Sequence, residues 1–386
     1  MSLTPKKNLL HIITKLELGG AQQNTLYSVE RHDRSKYNVF LVAGTEGLLV
    51  EDAKRIKDAK IILLPELKHP ISPLWDFRCF KKLKALMNAE RIDIVHTHSS
   101  KAGILGRYAA RAARVPVIVH TIHGFSFNDF QGRLKKSVFI ALERAAAKFT
   151  DALIAVTTAD VEKGLKYGVG TKELYSVIHS SIDLDEFSAK YDTAGIRGGL
   201  GIKPEEKVAG MIACFKEQKD PVAFVKVAAE VVKAVPDAKF IMVGDGELRG
   251  RVEAEIKSNG LSGRVILAGW RKDVAPLLSI FDVLVLTSLW EGLPRVFPQA
   301  MAAKKPIVAT LVDGAKEALI DGVNGFVCEP KDVKGLAEKV IYLFKNPSEA
   351  VKMGLMGSNM AAGWDVNNMV PAIERVYEKV IKSKSL

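Results

Sequence analysis

The stretch Phe240-Ile-Met-Val-Gly-Asp-Gly-Glu-Leu-Arg-Gly250 contains the structural pattern that is repeated along the whole chain. Four apolar residues predict a buried strand, a Gly-Asp-Gly turn follows, and a helical pattern begins directly after it. Thirteen apolar segments of this kind alternate with helical stretches. Such an alternation is typical of parallel sheets whose strands are joined by right-handed helical crossovers.

Two sheets fit this pattern better than one. Thirteen strands exceed the usual size of an open sheet, and 386 residues exceed one ordinary core. Polar residues and glycines interrupt the alternation between positions 183 and 201. The predicted fold class is α/β, with two Rossmann-like domains whose parallel sheets face each other across a cleft. Their predicted bounds are 1–183 and 184–366, and a last helix over 367–386 is expected to pack back on the first domain.

The net charge of +12 is concentrated in one half of the chain. Residues 1–190 hold 29 Lys and Arg against 20 Asp and Glu, whereas the remainder holds 27 against 24. A basic surface attracts nucleic acid, anionic lipid or phosphorylated small molecules, although an excess of this size also occurs on plain solvated surface. The first half is therefore a candidate to meet an anionic partner, and the solvated-surface explanation stays open.

The remaining composition predicts a cytoplasmic protein. No apolar run approaches the roughly 18 residues that cross a bilayer, and the N-terminal apolar segment has the pattern of a strand and not of a signal peptide. The cysteines lack the spacing of a disulfide framework or a zinc site, which favours a reducing compartment. They are Cys79, Cys214 and Cys328.

Glycines that follow two predicted strands indicate that a ligand approaches the backbone closely. Gly19 and Gly20 precede a helix start, where amides favour an anion, although a plain tight turn explains them equally well. Gly244 and Gly246 resemble the turn of a dinucleotide site, but the next strand does not end in the acidic residue that would hold a ribose. A nucleotide-facing turn is therefore favoured over NAD binding.

The stretch Trp290-Glu-Gly-Leu-Pro-Arg-Val-Phe-Pro-Gln-Ala-Met-Ala-Ala303 carries the strongest functional pattern. A predicted strand ends in a tight loop, and a helix begins near Arg295, where N-terminal amides suit a pyrophosphate. Glu291 can accept hydrogen bonds from sugar hydroxyls. Gln299 lies further along the helix, within reach of a ribose.

The run from Glu291 to Gln299 resembles the signature of the retaining glycosyltransferases of family 4 (group 1), which have the GT-B fold. Other segments resemble the family in the same order along the chain. They are the glycine loop Gly19-Gly20-Ala21, His123-Gly124 after a strand, Lys219 within Ala213–Pro221, Gly244-Asp-Gly246, Gly269–Asp273, and Asp313-Gly314 with Glu317.

The resemblance implies a catalytic set and a donor. Lys219 would neutralise the diphosphate leaving group, Glu291 would position the transferred sugar, and His123 would contact that sugar from the first domain. The donor would be a UDP- or GDP-sugar, with a UDP-sugar favoured, and its anomeric configuration would be kept. No cofactor and no metal is implied, because lysine, arginine and helix dipoles would balance the charge. The implied donor-binding residues are Gly19, Gly20, Lys216, Gly244, Gly246, Trp270, Arg271, Gly292, Leu293, Pro294, Arg295 and Gln299, with amides at Leu293–Arg295 on the diphosphate.

The resemblance also implies an acceptor, namely a glycan or a lipid-linked sugar, as in surface polysaccharide or glycoconjugate biosynthesis. No nucleic acid is expected. Basic residues beside aromatic ones suit an anionic membrane surface at the inner face of the membrane, although a core face with a solvated charged side explains the pattern as well. The residues proposed for acceptor or membrane contact are Arg107, Arg111, Phe127 and Lys135, with Phe125 and Phe130 beside them.

Two departures from the family pattern leave other functions open. Cys214 stands where the family usually has an arginine, and a thiol cannot make the charge-assisted bonds of a guanidinium, so Lys216 is a candidate to replace it. Gln299 replaces a second glutamate but keeps an acceptor oxygen. A sugar-nucleotide 2-epimerase of the same fold and a non-catalytic nucleotide-sugar-binding subunit therefore remain as alternatives.

Four histidines, His96, His98, His120 and His123, lie at or after two strands that are predicted to be neighbours. Alternation places His96 and His98 on one face of a strand, but no carboxylate or cysteine completes a metal ligand set. We therefore expect no metal and assign a functional role to His123. The segment Asp183-Leu-Asp185 is interpreted as a chance match to a metal-binding motif.

Overall fold

A computed structural model describes residues 5–127 and 131–386 of the chain. Thirteen strands occur in the described residues, and every strand that the sequence predicts is among them. The strands are β1 (Lys7–Ile13), β2 (Tyr37–Ala43), β3 (Ala59–Leu63), β4 (Ile94–His98), β5 (Val117–Ile122), β6 (Ala152–Ala155), β7 (Tyr175–Val177), β8 (Val208–Ile212), β9 (Lys239–Val243), β10 (Val265–Gly269), β11 (Val283–Leu286), β12 (Ile307–Thr310) and β13 (Gly325–Cys328).

Helices connect the strands. They are α1 (Gly20–Arg31), α2 (Val50–Lys54), α3 (Pro73–Ala89), α4 (Ser100–Ala112), α5 (Arg133–Ala147), α6 (Thr158–Lys166), α7 (Leu184–Ser188), α8 (Thr193–Gly199), α9 (Pro221–Ala234), α10 (Arg249–Ser258), α11 (Val274–Ser279), α12 (Val296–Ala302), α13 (Val333–Lys345), α14 (Pro347–Met360) and α15 (Val366–Ser383). None of the helices in the described ranges is long and apolar enough to cross a membrane.

The chain forms two compact units. The first unit contains the described residues up to Ser181 together with Val366–Leu386, and the second unit contains Ile182–Asp365. The first unit has a seven-stranded parallel sheet in the order β3-β2-β1-β4-β5-β6-β7, and the second has a six-stranded parallel sheet in the order β10-β9-β8-β11-β12-β13. Counted within each unit, both begin 3-2-1-4-5-6, which is the Rossmann order. The predicted α/β fold class is therefore confirmed.

In each sheet the strand order reverses between the first and fourth strands of the unit. Ligands of open parallel sheets bind beyond the carboxyl ends of the strands at such a point. The segments that follow β1 and β4 in the first unit, and β8 and β11 in the second, are therefore the positions where a site is expected. All the catalytic residues that the sequence predicts follow these strands or the adjacent β5.

Local sequence explains where several helices begin. The side chain of Asp220 accepts a hydrogen bond from the amide of Ala223 and caps α9, with Pro221 in the first turn. Asp183 caps α7 in the same way by accepting from the amide of Glu186. The Asp183-Leu-Asp185 segment thus has a structural role, which agrees with its interpretation as a chance match.

The C-terminal helix α15 belongs to the first unit, where it packs against α1 and β5. Its buried residues include Ile373, Val376 and Tyr377, which join the core cluster that contains Leu9 and Ile94. Polar groups of the same helix also reach the interior, because Glu374 is only 7% exposed. A helix from the end of the chain therefore completes both the apolar core and a polar interior of the first unit.

Candidate active site

An ion pair between Lys219 and Glu291 stands at the centre of the second unit's candidate site. The ammonium group of Lys219 contacts Oε1 of Glu291, and the hydroxyl of Ser288 donates to the same oxygen at 2.6 Å. The Glu291 side chain is 5% exposed, whereas that of Lys219 is 19% exposed. The lysine is thus the accessible partner of the pair. Besides the lysine, Ser288 and Gln218 contact the carboxylate, since Gln218 Nε2 lies 3.5 Å from Oε2.

Backbone and hydroxyl contacts join the two loops that carry this pair. Lys219 follows β8, and Glu291 follows β11, the neighbouring strand. The amide of Leu289 donates to the carbonyl of Gln218 at 2.8 Å, and the Thr287 hydroxyl lies 2.8 Å from the carbonyl oxygen of Asp220. Asp220 adopts a left-handed conformation, with φ of 40°, directly after the lysine. The pair is therefore fixed by its own loops and does not depend on mobile side chains alone.

The Gly-Asp-Gly turn after β9 packs against the loop that follows β8. At Gly244 φ is 130°, and an added Cβ would lie 2.0 Å from the carbonyl oxygen of Ala213. At Gly246 an added Cβ would lie 2.7 Å from the carbonyl oxygen of Phe215. The amide of Phe215 donates to the carbonyl of Asp245 at 2.8 Å. These glycines shape the lysine-bearing loop, which is a role that the sequence alone did not assign to them.

The signature stretch forms a short loop and the helix α12. Pro294, Arg295 and Gln299 are buried, whereas Gly292 and Leu293 are half-buried. Pro294 has no N–H, so among Leu293–Arg295 only the first and last residues have amides that could face a diphosphate. Arg295 lies close enough to Glu186 for its charge to oppose the rise that burial causes in the pKa of that carboxyl group.

The other predicted donor-binding residues of the second unit differ in exposure. Lys216 is exposed and precedes the turn that carries Lys219. Trp270 is 44% exposed, and the Arg271 guanidinium forms a bidentate pair with Asp273, with Nε 2.7 Å from Oδ1. This contact lowers the pKa of Asp273. Cys214 is a free, half-buried thiol in the loop after β8.

The glycine loop of the first unit leads into α1. Gly19 is extended, with φ of −155°, and its carbonyl accepts from the amide of Gln23, so Gly20 is the first helical residue. No side chain caps this helix among the described residues. Gly47 packs closely on the same segment, because an added Cβ would lie 2.1 Å from the carbonyl oxygen of Leu16.

His123 follows β5 and lines a small pocket in the first unit. The pocket is also lined by Ser99, His120 and Glu143. Ser99 has a φ of 61°, an uncommon conformation for a residue other than glycine, and its hydroxyl lies 2.9 Å from that of Thr14. A strained residue therefore joins β4 to α4 directly beside the predicted functional histidine.

Behind His123 lies a row of buried histidines that touch one another. Nε2 of His123 is 3.1 Å from Nδ1 of His98, and Nε2 of His98 is 3.0 Å from Nδ1 of His11. Nε2 of His11 is 3.0 Å from Nε2 of His32, whose Nδ1 lies 2.9 Å from Oε1 of Glu374. We call these five residues the histidine chain.

Burial makes these histidines weak bases. Removal from water is the largest cause that lowers the pKa of His11, His98 and the neighbouring His96 well below the ordinary value, and repulsion between the rings adds to it. The pKa of His32 is lowered for the same reason, although Glu374 opposes the change. Burial raises the pKa of Glu374, but hydrogen bonds from His32 and from the Asp33 amide outweigh it and bring that pKa below its usual value.

Three of the histidines, His11, His96 and His98, come close enough for a metal ion, since one ring nitrogen from each lies within 4.8 Å of the others. Every ring nitrogen of the three already has a hydrogen-bond partner, however. His96 Nδ1 is 2.5 Å from the Tyr377 hydroxyl, and its Nε2 is 2.6 Å from the Thr121 hydroxyl. A metal ion would have to replace several of these hydrogen bonds. The sequence pattern also offered no carboxylate or cysteine to complete the ligand set.

Two residues predicted for acceptor or membrane contact are placed wrongly by the sequence reasoning. Arg107 is fully buried and forms an ion pair with Glu143, with Nη2 2.6 Å from Oε2, because the basic face of α4 turns inward at this position. Phe127 is also fully buried and stacks on Phe125. Arg111 and Lys135 are exposed, as a surface contact requires. Phe130 lies outside the described residues.

Sequence reasoning missed three of the five members of the histidine chain. His11 lies within β1 in register with His96 of β4, and His32 directly follows α1, so neither belongs to a recognisable motif. Glu374 is separated from His32 by 342 positions. The one available signal was His11 between the apolar residues Leu10 and Ile12, because a buried polar residue needs a partner.

Comparison with known proteins identifies the class of this chain. Residues 18–186 match the family described as Glycosyltransferase Family 4, and residues 192–359 match Glycosyl transferases group 1. An Escherichia coli protein named UDP-Gal:alpha-D-GlcNAc-diphosphoundecaprenol alpha-1,3-galactosyltransferase is 30% identical, over 98% of both chains. A Campylobacter jejuni protein named N,N'-diacetylbacillosaminyl-diphospho-undecaprenol alpha-1,3-N-acetylgalactosaminyltransferase is 24% identical, over 86% of this chain and 90% of its own.

A solved structure supports the fold. The Anabaena protein Alr3699/HepE, crystallised with UDP and glucose, superposes with a TM-score of 0.84 over 96% of this chain and 99% of its own, at 22% identity. The chain is therefore a member of the glycosyltransferases that have two Rossmann-like domains, the GT-B fold. It belongs to glycosyltransferase family 4 (group 1), as the sequence resemblance implied.

Proposed function

We propose that this chain transfers a sugar from a UDP-sugar to a lipid-linked glycan, with retention of the anomeric configuration and without a metal. The observation that carries the proposal is the Lys219–Glu291 pair, which presents an accessible ammonium group beside a buried carboxylate at the point where the second sheet reverses its strand order. A diphosphate leaving group needs positive charge, and a sugar needs hydrogen-bond acceptors. The pair offers both within one contact.

The proposed roles follow from exposure and charge. Lys219 neutralises charge on the departing diphosphate. Glu291 accepts hydrogen bonds from the sugar through Oε1, the oxygen that now contacts both Lys219 and Ser288. Gln299 receives the ribose hydroxyls, and His123 keeps its expected role as a contact of the sugar. Binding of an anionic diphosphate to Lys219 would loosen its contact with Glu291, which makes the carboxylate a better acceptor at the moment when the donor is bound.

The proposed donor and acceptor are supported by the names of relatives. The E. coli protein is named for UDP-Gal, and both it and the C. jejuni protein are named for sugars on diphosphoundecaprenol. The Anabaena structure holds UDP and glucose. A polyprenyl diphosphate sugar is therefore the acceptor class that we propose, with a role in surface polysaccharide or glycoconjugate synthesis at the inner face of the membrane.

Two helices of the first unit each carry exposed apolar side chains among basic ones, as suits an anionic membrane. Leu134, Val138 and Leu142 recur at intervals of four along α5, and all three are exposed, the first by 81%. Arg133 and Lys135 lie beside them and are exposed as well. Exposed Leu74 and Phe77 of α3 have exposed Arg78 and Lys81 as neighbours. Apolar side chains among basic ones are typical of proteins that bind anionic lipid surfaces.

Co-sedimentation with vesicles tests the membrane contact. We expect binding to phosphatidylglycerol vesicles and little binding to phosphatidylcholine vesicles, with a loss of binding in Leu134→Glu. Val351→Glu is the matched control, since Val351 is an apolar residue of the second unit that is 62% exposed. Equal losses in both variants, or equal binding to both lipids, would contradict the proposed surface.

A thermal-shift screen with nucleoside diphosphates and their sugars tests the donor. A ligand that binds only the folded protein raises the melting temperature, and we expect the largest rise with UDP and UDP-sugars. The product is then made on a synthetic polyprenyl diphosphate sugar and examined by NMR, which reports the anomeric configuration. An inverted product contradicts retention, a 2-epimerised donor identifies an epimerase, and binding without transfer identifies a binding subunit.

A further inference from the structure

The histidine chain connects a carboxylate on the C-terminal helix α15 to His123 through four successive ring contacts of 2.9–3.1 Å. Four of its members, Glu374, His32, His11 and His98, are buried. Each contact links one nitrogen of a ring to the next residue, so that no ring nitrogen of His11, His32 or His98 lacks a partner. Such a row transmits a fixed order of donors and acceptors, because a neutral imidazole has one N–H and one lone pair.

The order is set at the Glu374 end. Its Oε1 accepts from the Asp33 amide at 2.9 Å as well as facing Nδ1 of His32, and an ionised carboxylate can only accept. The hydrogen bonds that lower the pKa of Glu374 keep it ionised near neutral pH. The ring nitrogen that faces this oxygen must therefore carry the hydrogen. His32 is fixed with its hydrogen on Nδ1.

The remaining protons follow by elimination. A neutral His32 has a lone pair on Nε2, so His11 donates to it from Nε2. His11 then has a lone pair on Nδ1, which accepts from Nε2–H of His98. By the same reasoning Nδ1 of His98 accepts from Nε2–H of His123. A single arrangement of neutral rings satisfies every contact, and all of its N–H groups point towards Glu374.

We propose that the histidine chain is a positioning device that holds His123 in the tautomer with hydrogen on Nε2, which makes its Nδ1, an atom that is buried in this structure, a hydrogen-bond acceptor. Glu374 and the three inner histidines are positioning residues, since they act through His123. The consequence for catalysis rests on the proposed function: an acceptor nitrogen would receive a hydroxyl of the transferred sugar, whereas the opposite tautomer would meet that hydroxyl with an N–H in a less favourable arrangement.

A metal site is the competing explanation for the cluster, and the contacts favour the chain. A divalent ion on His11, His96 and His98 would need lone pairs from nitrogens that the chain and its neighbours already use. The three rings are also fully buried without a carboxylate among them. A doubly charged ion would therefore lie in a site with no compensating negative charge from these ligands.

NMR of the native protein, labelled with ¹⁵N at its histidines, tests the tautomers without any substrate. Protonated and unprotonated ring nitrogens of a neutral imidazole give separate signals, and each ring is assigned from a variant that lacks it. We expect hydrogen on Nδ1 of His32 and on Nε2 of His11, His98 and His123. Hydrogen on Nδ1 of His123 overturns the proposal, and so does stoichiometric zinc in the purified protein with metal-shifted ring signals.

Variants then test whether the order comes from a hydrogen-bond acceptor at position 374. Glu374→Gln keeps an acceptor oxygen for the Asp33 amide and His32, so we expect the wild-type tautomer of His123. His32→Phe interrupts the chain, and we expect mixed tautomers at His123 and a loss in kcat/KM of about tenfold, which corresponds to one ordinary hydrogen bond. Tyr377→Phe is the matched control, because it is buried on the same helix but bonds to His96 outside the chain.

The two readouts separate this inference from the proposed function. A fixed tautomer in the native protein that becomes mixed in His32→Phe supports the chain even if no sugar transfer is found. An unchanged tautomer in folded His32→Phe overturns it even if the protein is a transferase. If His32→Phe does not fold, the wild-type spectrum and Glu374→Gln still decide, because a reversed tautomer in either one contradicts the proposal.

Discussion

The two units share a strand order but hold opposite kinds of chemistry at the ends of their sheets. All eight histidines of the chain lie in the first unit, and most of them are buried. The second unit has no histidine and instead places the charged Lys219–Glu291 pair at its strand reversal. The polar interior of the first unit is thus made mainly of neutral groups, and the site of the second contains opposite charges in contact.

Under the proposed function, this difference suits the two kinds of group that the protein would bind. A neutral acceptor costs little to bury when its hydrogen bonds are complete, and it recognises a hydroxyl without attracting anions. A lysine that stays partly exposed can meet a diphosphate while its carboxylate partner prevents an unpaired charge in the empty state. Acid, the loss of a buried charge and the binding of a diphosphate should therefore affect the two units differently.

Acid should unfold the first unit before the second. Burial lowers the pKa of His11, His96, His98 and His120 well below 6.5, so the unfolded chain binds more protons than the folded one as the pH falls below that value. Stability contributed by these groups is complete above pH 6.5 and is lost below it, at about 1.4 kcal/mol per group and pH unit, or about 5 kcal/mol for four.

Hydrogen exchange at pH 7, 6 and 5, corrected for intrinsic exchange rates, measures this effect. We expect β1 and β4 to lose protection across this range, while β8 and β11 keep theirs because the second unit has no histidine to protonate. Parallel loss in both sheets would show that the units unfold together. Unchanged protection of β1 at pH 5 would show that the buried histidines do not limit stability.

Breaking the buried ion pair should destabilise the first unit next most strongly. Arg107→Met leaves Glu143 buried without its guanidinium, and we expect a loss of about 3–5 kcal/mol in the free energy of unfolding. Adding Glu143→Leu should restore most of it, since an apolar pair replaces an unpaired charge. Native-state hydrogen exchange of α4 in urea measures both. If the double variant is as unstable as the single one, the stability lost in Arg107→Met comes from packing and not from the unpaired charge.

The fold was predictable because it depends on local patterns repeated along the chain. Each strand is a short apolar run, and the loops and helices between them have lengths that only parallel crossovers accommodate. Errors were confined to the ends of strands: His96 and His98 were expected at or after a strand, and both lie within β4. This shift matters because it brings His98 into the sheet. The approach of Gly244 to the Ala213 carbonyl also needed the three-dimensional packing.

The site was predictable only where it follows a motif. The signature containing Glu291 and the lysine loop were found from sequence, and the structure joins them in one contact. Arg107 was misassigned because a basic residue in an amphipathic helix has the same pattern whether it faces solvent or a buried carboxylate. Glu374 could not be found, since its role depends on the packing of the last helix against the first unit.

Removing the accessible charge of the second unit should cost transfer about 10²–10³-fold in kcat, by analogy with other groups that stabilise developing negative charge. We expect this loss in Lys219→Ala, measured with a radiolabelled or fluorescent acceptor. Lys216→Ala is the matched control: the same residue type three positions earlier, exposed, and with a smaller expected loss. Equal losses would mean that the whole loop, and not Lys219 in particular, binds the diphosphate. Full activity in both variants would mean that the diphosphate does not bind at this site.

Cys214→Arg restores the residue that the family pattern has beside the lysine. We expect it to raise the affinity for UDP, which is a smaller effect than the loss of Lys219. The thiol is half-buried in the loop after β8, and a guanidinium there could make charge-assisted bonds to a diphosphate. One such bond is worth about 1.5–3 kcal/mol, so we expect UDP to bind about tenfold or more tightly by calorimetry. Cys214→Met controls for size. Equal affinities in the two variants would mean that the second unit already neutralises the diphosphate without help from this position, whereas weaker binding in the arginine variant alone would show that the loop has no room for a second cation beside Lys219.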